Sequence, residues 1–270
     1  MKKVVLITGA SSGMGKVMAQ LLAEKGFIVY GAARRTEKMQ DLAKAGIYIL
    51  SMDVTDEHSM VDGVNTILSK EGRIDVLINN AGFGSYGAIE EVPARDARYQ
   101  LEVNVFGAAR LIQLILPQMR TQRSGRIVNI SSIGGKVAMP MGGWYHASKF
   151  ALEALSDSLR AEVKQFGIDV VVIEPGGVRS EWADIAVENG IRNSGKGAYS
   201  TMAGKFAGLQ SSFAHRLAEP MVIARIVLKA LLARRPRTRY AAGFMAGPML
   251  VMRRLLPDRW MDKLMLSQLK

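Results

Sequence analysis

Residues Thr8–Gly15 read TGASSGMG, between a short β-branched run, Val4–Ile7, and a helix-like stretch, Met14–Lys25, that Gly26 closes. A strand, a glycine loop and a helix in that order put Gly9, Gly13 and Gly15 where missing side chains permit a tight turn. Backbone can then approach a pyrophosphate closely, and the free N–H groups of the helix start point at it. The loop lacks the terminal Gly-Lys-Ser/Thr of nucleotide hydrolases. The stretch therefore predicts dinucleotide binding on a βαβ unit.

Outward from this loop, β-branched and apolar runs predict strands at Phe27–Ala33, Ile47–Met52, Ile74–Ile78, Arg126–Ile130, Ile168–Ile173 and Thr238–Ala242. Helical patterns fall at Ser59–Lys70, Asp96–Arg120, Tyr145–Gln165 and Pro220–Arg234. Strands alternating with helices predict an α/β protein with a Rossmann-type, doubly wound parallel sheet and helices on both faces, one domain over residues 1–270. Glu181–Ser212, rich in Gly, Ser and Asn, and Tyr240–Lys270, with Met, Leu and basic residues, read as additions to the sheet. The first, as 181–213, is expected to form a substrate lid, because it follows the expected nicotinamide loop. The second, 240–270, is an apolar and basic extension that could cover the cavity, join subunits or touch a membrane.

Composition narrows the chemistry. The chain has no cysteine, which removes disulfides, thiolate nucleophiles and thiolate metal sites. His58, His146 and His215 have no ligand spacing, so no metal is expected. The formal charge of +12 is concentrated at the end: from Arg216 onward, 12 Lys or Arg face only Glu219, Asp258 and Asp262. A solvated basic face or attraction to anionic lipid accounts for that better than nucleic acid, because no recognition helix or aromatic-interleaved module accompanies it. The apolar run in MKKVVLITGA meets Thr8 after four residues, too short for a secretory signal, and cytoplasmic location is the default expectation.

The second strand ends GAARR, with Arg34 and Arg35 where an acidic residue would accept a ribose diol. Guanidinium groups there pair with a 2′-phosphate and stack beside adenine, predicting NADP(H) over NAD(H). Asp53 and Val54 after the third strand, and Asn79 and Gly82 after the fourth, lie at C-terminal strand ends, where open α/β sheets place ligands.

Tyr145 and Lys149, four apart at a helix start, project on one side. A neighbouring ammonium favours phenolate, so the pair is expected to lower the tyrosine's pKa and prepare it for proton exchange. Ser132, ending RIVNISS, could hydrogen-bond the reacting oxygen. Asn104, costly inside an apolar helical stretch, could bond a neighbouring turn or hold a water connected to Lys149.

TGASSGMG, DVTD (53–56), NNAG (79–82), Asn104, Ser132, YHASK (145–149) and EPGGVRS (174–180) together resemble the short-chain dehydrogenase/reductase family over almost the whole chain. The resemblance implies a catalytic tetrad of Asn104, Ser132, Tyr145 and Lys149. It also implies a cofactor cradle that takes in Thr8, Ser11, Ser12, Gly13, Met14, Asn80, Ala81, Pro175, Gly176, Val178 and Ser180, the last standing where the family usually has threonine. Hydride transfer from the B face of the nicotinamide and a homodimer or homotetramer are implied as well.

FGSYGAIEEVP (83–93), VNVFGA (103–108) and GGWYHASKFALEALSDSLR (142–160) look like the 17β-hydroxysteroid and retinol dehydrogenase-like subgroup, which implies a bulky apolar ketone, aldehyde or alcohol. Phe83, Met139, Met141, Trp144, Trp182 and Phe213 are candidate pocket residues. The rival to an enzyme is an NADPH-binding sensor or scaffold that acts through its basic C-terminal region. Four intact tetrad positions favour the enzyme.

Overall fold

A computed structural model describes residues 2–269, apart from the side chains of residues 181–183. Seven strands make one sheet: β1 (Val4–Thr8), β2 (Ile28–Ala33), β3 (Tyr48–Ser51), β4 (Val76–Asn79), β5 (Gly125–Ile130), β6 (Ile168–Pro175) and β7 (Arg239–Ala242). Their order is β3-β2-β1-β4-β5-β6-β7, and every neighbouring pair is parallel. The chain steps outward from β1 to β3, then returns to lay β4 on the other side of β1. That reversal opens a crevice at the C-terminal ends of β1 and β4.

Alternation along β1 shows why both faces need covering. Val5 and Ile7 join one core, with α1 (Gly13–Glu24), Leu42 of the short α2 (Gln40–Lys44), and Ile223, Val227 and Leu231 of α9 (Pro220–Leu232). Val4 and Leu6 join the other, with α3 (Glu57–Glu71), α5 (Gly107–Gln122) and α6 (Gly143–Val163). All five β1 residues are buried. Each such aliphatic side chain is worth about 1.5–3 kcal/mol on leaving water. The ends of α3 follow local chemistry: Asp56 accepts from the N–H groups of His58 and Ser59, and Gly72 stops the helix with φ 68°.

The helix expected at Asp96–Arg120 is a composite. α4 (Ala94–Leu101) runs through a π-helical turn, Glu102–Phe106, into α5. The extra residue in that turn carries Asn104, which explains how an asparagine fits an otherwise apolar helical stretch. Gly107 follows because a β-carbon there would stand 2.4 Å from the Val54 carbonyl oxygen.

Two regions differ from the sequence expectations. α2 has no expected counterpart, since five residues are too few for a periodic signal. Glu181–Ser212, with little visible pattern, forms α7 (Glu181–Ser194) and α8 (Ser200–Phe213), which pack against each other. β7 is followed by α10 (Ala246–Leu255) and α11 (Asp258–Ser267), broken at Pro257. Among the described residues, no helix is long and apolar enough to cross a membrane.

Candidate active site

A cavity of about 620 Å³ runs along the C-terminal strand ends. Its wall includes Thr8, Gly9, Ser11, Ser12, Gly13 and Met14 from the glycine loop, and Asn80, Ala81 and Gly82 after β4. Pro175, Gly176, Val178 and Ser180 after β6 line the facing side. Gly9 and Gly13 hold positive φ, 68° and 52°, so glycine is the residue each turn favours. Thr8 Oγ1 accepts from the N–H groups of Asn80 and Ala81, both at 3.0 Å, and Asn80 Nδ2 donates to the Thr8 carbonyl at 2.9 Å. These bonds tie β1 to β4 across the crevice.

Two expected cofactor residues stand behind the wall. A β-carbon on Gly15 would lie 2.3 Å from the Gly9 carbonyl oxygen, so this glycine lets the loop close on the helix. Asn79 is buried and its Nδ2 donates to Asn129 Oδ1 at 2.9 Å and to the Ala108 carbonyl at 3.4 Å, bracing β4 against β5 and α5. The neighbouring Asn80 faces the cavity instead, as strand alternation requires.

The cavity fits a dinucleotide at this end. No acidic residue occupies the first turn of α1, and Ser12 makes no side-chain cap, so the positive end of the helix meets the cavity without a protein counter-charge. At the far end stand Arg34, Arg35, Asp53 and Val54. Arg34 Nη1 donates to the Tyr99 hydroxyl at 2.7 Å and lies 3.9 Å from Asp53 Oδ2. Asp53 Oδ1 accepts from the N–H and hydroxyl of Thr55, which fixes its carboxylate at the cavity edge.

The four expected catalytic residues come together at the other end, from three elements. Ser132 follows β5, Tyr145 and Lys149 lie in the first turns of α6, and Asn104 sits in the π turn. Ser132 Oγ accepts from the Gly134 N–H at 3.0 Å and donates to the Pro175 carbonyl over a long 3.4 Å. Lys149 Nζ donates to the Ile130 carbonyl at 2.9 Å. Asn104 braces the loop after β4: its Oδ1 accepts from the Phe83 N–H and its Nδ2 donates to the Phe83 carbonyl and to Ser148 Oγ. It does not line the cavity, but its Oδ1 and Lys149 Nζ both flank Gly82, 3.1 and 3.5 Å from where a β-carbon would be.

The expected depression of the tyrosine pKa is corrected here. Burial pushes the Tyr145 phenol up to about 12, with only the hydrogen bond to Ser132 pulling the other way. The Lys149 ammonium donates to the Ile130 carbonyl and stands 6.0 Å from the centre of the tyrosine ring. Burial brings Lys149 itself down to about 8, opposed by the carboxylate of Glu153 one turn along the helix. Glu153 is buried and paired with Lys136 Nζ and Arg239 Nη2, each at 3.0 Å.

The substrate end is apolar. Phe83 and Met139 line the cavity as expected. Met141 packs beside Tyr145 in a buried cluster, with φ 70°, a left-handed backbone uncommon outside glycine. Trp144 is not on the wall, the Phe213 ring lies tilted beside Phe244 with centres 5.4 Å apart, and the Trp182 side chain lies outside the described residues. Unexpected wall residues are Tyr86, Ile133, Val137, Ile185, Gln210, Leu217 and Met249. Tyr86 bridges the cluster, its ring 5.7 Å from Tyr145 and 5.0 Å from Phe206 of α8. It lies within FGSYGAIEEVP, whose apolar and aromatic content was the available signal. Ile185 and Gln210 fall in the expected lid, 181–213, and Met249 in the extension, 240–270, for which covering the cavity is one reading, whereas Ile133, Val137 and Leu217 had no signal.

Residues 3–189 match the family model for short chain dehydrogenase. A 3-ketodihydrosphingosine reductase of Bacteroides thetaiotaomicron is 44% identical over 182 residues, 67% of this chain and 66% of that protein. An NADPH-dependent 3-dehydrocapnine reductase of Ornithobacterium rhinotracheale is 32% identical over 284 residues, with 99% and 98% coverage. The crystal structure of a short-chain dehydrogenase from Streptomyces avermitilis superposes with a TM-score of 0.81 at 37% identity, covering 93% of this chain and 91% of that one. A Burkholderia phymatum relative solved with NAD gives a TM-score of 0.80 at 26% identity, covering 94% and 92%. With its sheet order, glycine loop and converging Ser132, Tyr145 and Lys149, the chain belongs to the short-chain dehydrogenase family of NAD(P)-dependent oxidoreductases acting on small organic carbonyls and alcohols.

Proposed function

We propose that the protein interconverts a bulky apolar ketone or aldehyde and its alcohol, with NADP(H) preferred over NAD(H) and Tyr145 as general acid and base. The observation that carries this reading is a protonated, buried phenol that meets Ser132 beneath a chamber walled by Phe83, Tyr86, Met139, Leu217 and Met249. A phenol held near 12 is an acid at neutral pH, suited to giving its proton to an oxygen that becomes alkoxide. A nicotinamide, when bound, supplies or accepts the hydride.

The remaining work falls to the chain. Ser132 makes a long bond to the Pro175 carbonyl and meets the Tyr145 phenol, so its O–H can turn from the carbonyl to a substrate oxygen held beside Tyr145. Hydride addition places negative charge on that oxygen, where the O–H groups of Ser132 and Tyr145 stabilise it more than they stabilise the neutral carbonyl. Tyr145 gives up its proton as the alcohol forms, and the Lys149 ammonium offsets the phenolate left behind. Alcohol oxidation runs through the same groups in reverse.

Arg34 and Arg35 support the NADP(H) preference, and the name of the Ornithobacterium relative supports it too. The apolar wall, together with relatives named for 3-ketodihydrosphingosine and 3-dehydrocapnine, favours a ketone on a long apolar body, wider than the steroid and retinoid class. α7 and α8, which bring Ile185 and Gln210 to the wall, act as the lid. The test is NADPH oxidation against ketosteroids, retinal, medium-chain aldehydes, aromatic ketones and a 3-keto long-chain lipid. Turnover with one class that disappears in Tyr145→Phe supports the reading. Tight NADPH binding without turnover on any class would move the protein to the sensor class.

A further inference from the structure

The last two helices pack inward on one small core. Met249 of α10 and Met261 and Met265 of α11 are buried with Val137, and Ile133 and Met139 pack against them. Ile133, Val137, Met139 and Met249 also line the cavity. α10 and α11 therefore form its outer wall, and their opposite faces point away from that wall.

Those opposite faces are not what a solvated surface usually carries. Val251, Leu255 and Trp260 are 57%, 73% and 62% exposed. Rotating about 100° per residue from the buried Met249 and Met261 brings Val251 and Leu255 to the outer side of α10, beside Arg254. On α11, measured from the midpoint of the buried Met261 and Met265, Arg259 and Lys263 fall outward, Trp260 lies about 60° and Asp262 about 100° from the outward direction on opposite sides, and Asp258 lies nearer the buried face. Arg254 and Arg259 form no ion pair among the described residues, while Asp258 is held by Arg253 at 2.8 Å. Lys263 Nζ lies 5.3 Å from the centre of the Trp260 ring. Large apolar side chains thus alternate with cations free to reach past them.

We propose that this outer face of α10 and α11 docks on the surface of a bilayer rich in anionic phospholipid, with Leu255 and Trp260 entering the interface and Arg254, Arg259 and Lys263 meeting the headgroups. Apolar burial and charge attraction act together in such a contact, and an indole ring beside a lysine is suited to the boundary between headgroup and acyl chain. A second copy of the chain fits the same face less well. A two-fold contact would set Arg254, Arg259 and Lys263 against themselves, with only Asp262 to one side and Asp258, already held by Arg253, to answer them. The docking places the outer wall of the cavity at the membrane, and it holds whatever substrate the site takes.

Sedimentation with phosphatidylcholine vesicles containing about 30% phosphatidylglycerol tests the contact without any turnover. The intact protein should pellet with these vesicles at low ionic strength, leave them at high salt, and stay in solution with phosphatidylcholine alone. Leu255→Ser/Trp260→Ser should lower the retained fraction at least about fivefold while the melting temperature holds. Failure of the intact protein to pellet with anionic vesicles overturns the proposal, and so does equal retention of the double variant. If the double substitution instead converts an oligomer to a monomer in light scattering, the face belongs to a second copy and the proposal falls.

Discussion

The two ends of the cavity are built differently. The end that meets the glycine loop is made of short runs directly after strands, residues 8–14, 80–82 and 175–180, laced by backbone bonds such as those of Thr8 and Asn80. The opposite end takes single side chains from many segments: Tyr86, Met139, Ile185, Leu217 and Met249. One end handles chemistry that any nicotinamide enzyme shares, so its parts can stay fixed in local sequence. The other must fit a particular substrate, and single side chains on separate segments can change independently.

The sharpest way to break the comparison is to remove one oxygen where the two ends meet. Tyr145→Phe keeps the ring packed against Tyr86 and deletes the proton donor. The expected loss in kcat is about 10²- to 10⁴-fold. NADPH affinity, read from quenching of protein fluorescence, should stay within about twofold, because the fold and glycine loop are untouched. A large loss of affinity instead would mean that the phenol serves cofactor binding as well as chemistry.

Acidity separates the two residues of the pair. Lys149 sits at about 8 and Tyr145 at about 12, so a rise in pH strips the ammonium long before the phenol. The reductive rate should fall as pH rises through about 8, roughly tenfold per unit where the ammonium is required. The same lowered lysine has a stability consequence of definite sign. Between about 8 and the ordinary lysine value, the unfolded chain binds a proton that the folded chain lacks, so unfolding free energy rises with pH there. Lys149→Met should flatten that segment of the urea-unfolding profile. An unchanged slope would show that Lys149 is not held low in the folded protein.

At the adenosine end the expected effect is smaller. Arg34→Asp replaces a cation suited to a 2′-phosphate with a carboxylate that repels it, and also releases the Tyr99 hydroxyl. A charge-assisted bond is worth about 1.5–3 kcal/mol, so the ratio of NADPH to NADH efficiency should fall about 10- to 100-fold. Because Asp53 lies within 3.9 Å, part of the loss comes from two carboxylates facing each other. Steady-state rates with both coenzymes give the ratio directly. An unmoved ratio would hand the discrimination to Arg35.

Legibility followed the same division. The glycine loop, the strand positions and the Tyr145–Lys149 pair could be read, because spacing within one loop or helix turn fixes relative placement, whereas Asn104 and Ser132, on other elements, join them only through the family resemblance. What escaped depends on folding at a distance. Asn79 and Asn80 look alike in sequence, but strand alternation turns one toward Asn129 and the other toward the cavity. The electrostatics of Tyr145 were read from Lys149 alone, whereas burial outweighs the neighbour. Met249 belongs to an extension over a hundred residues past Tyr145; cavity cover is one of three readings of that extension, and nothing local singles out Met249 as the residue that reaches the wall. The π turn is legible only afterwards, as the reason for Asn104.

The smallest expected effect belongs to the apolar end, and it tests whether that end reads substrate shape. Met139 lines the cavity and packs against the small core of Val137, Met249, Met261 and Met265, so Met139→Ala removes both wall and support. A single methylene of fit is worth about 1–3 kcal/mol in a close-fitting pocket, but a methionine wall yields and refills. The loss in kcat/KM for a bulky ketone should therefore be only several-fold, and a small ketone that never reaches Met139 should lose less than about twofold. Equal losses for both would mean that the substitution acts through the placement of Ser132, seven residues earlier in the same connection, and not through fit. Unequal losses, with NADPH affinity constant, would show that the two ends of one cavity can be altered separately.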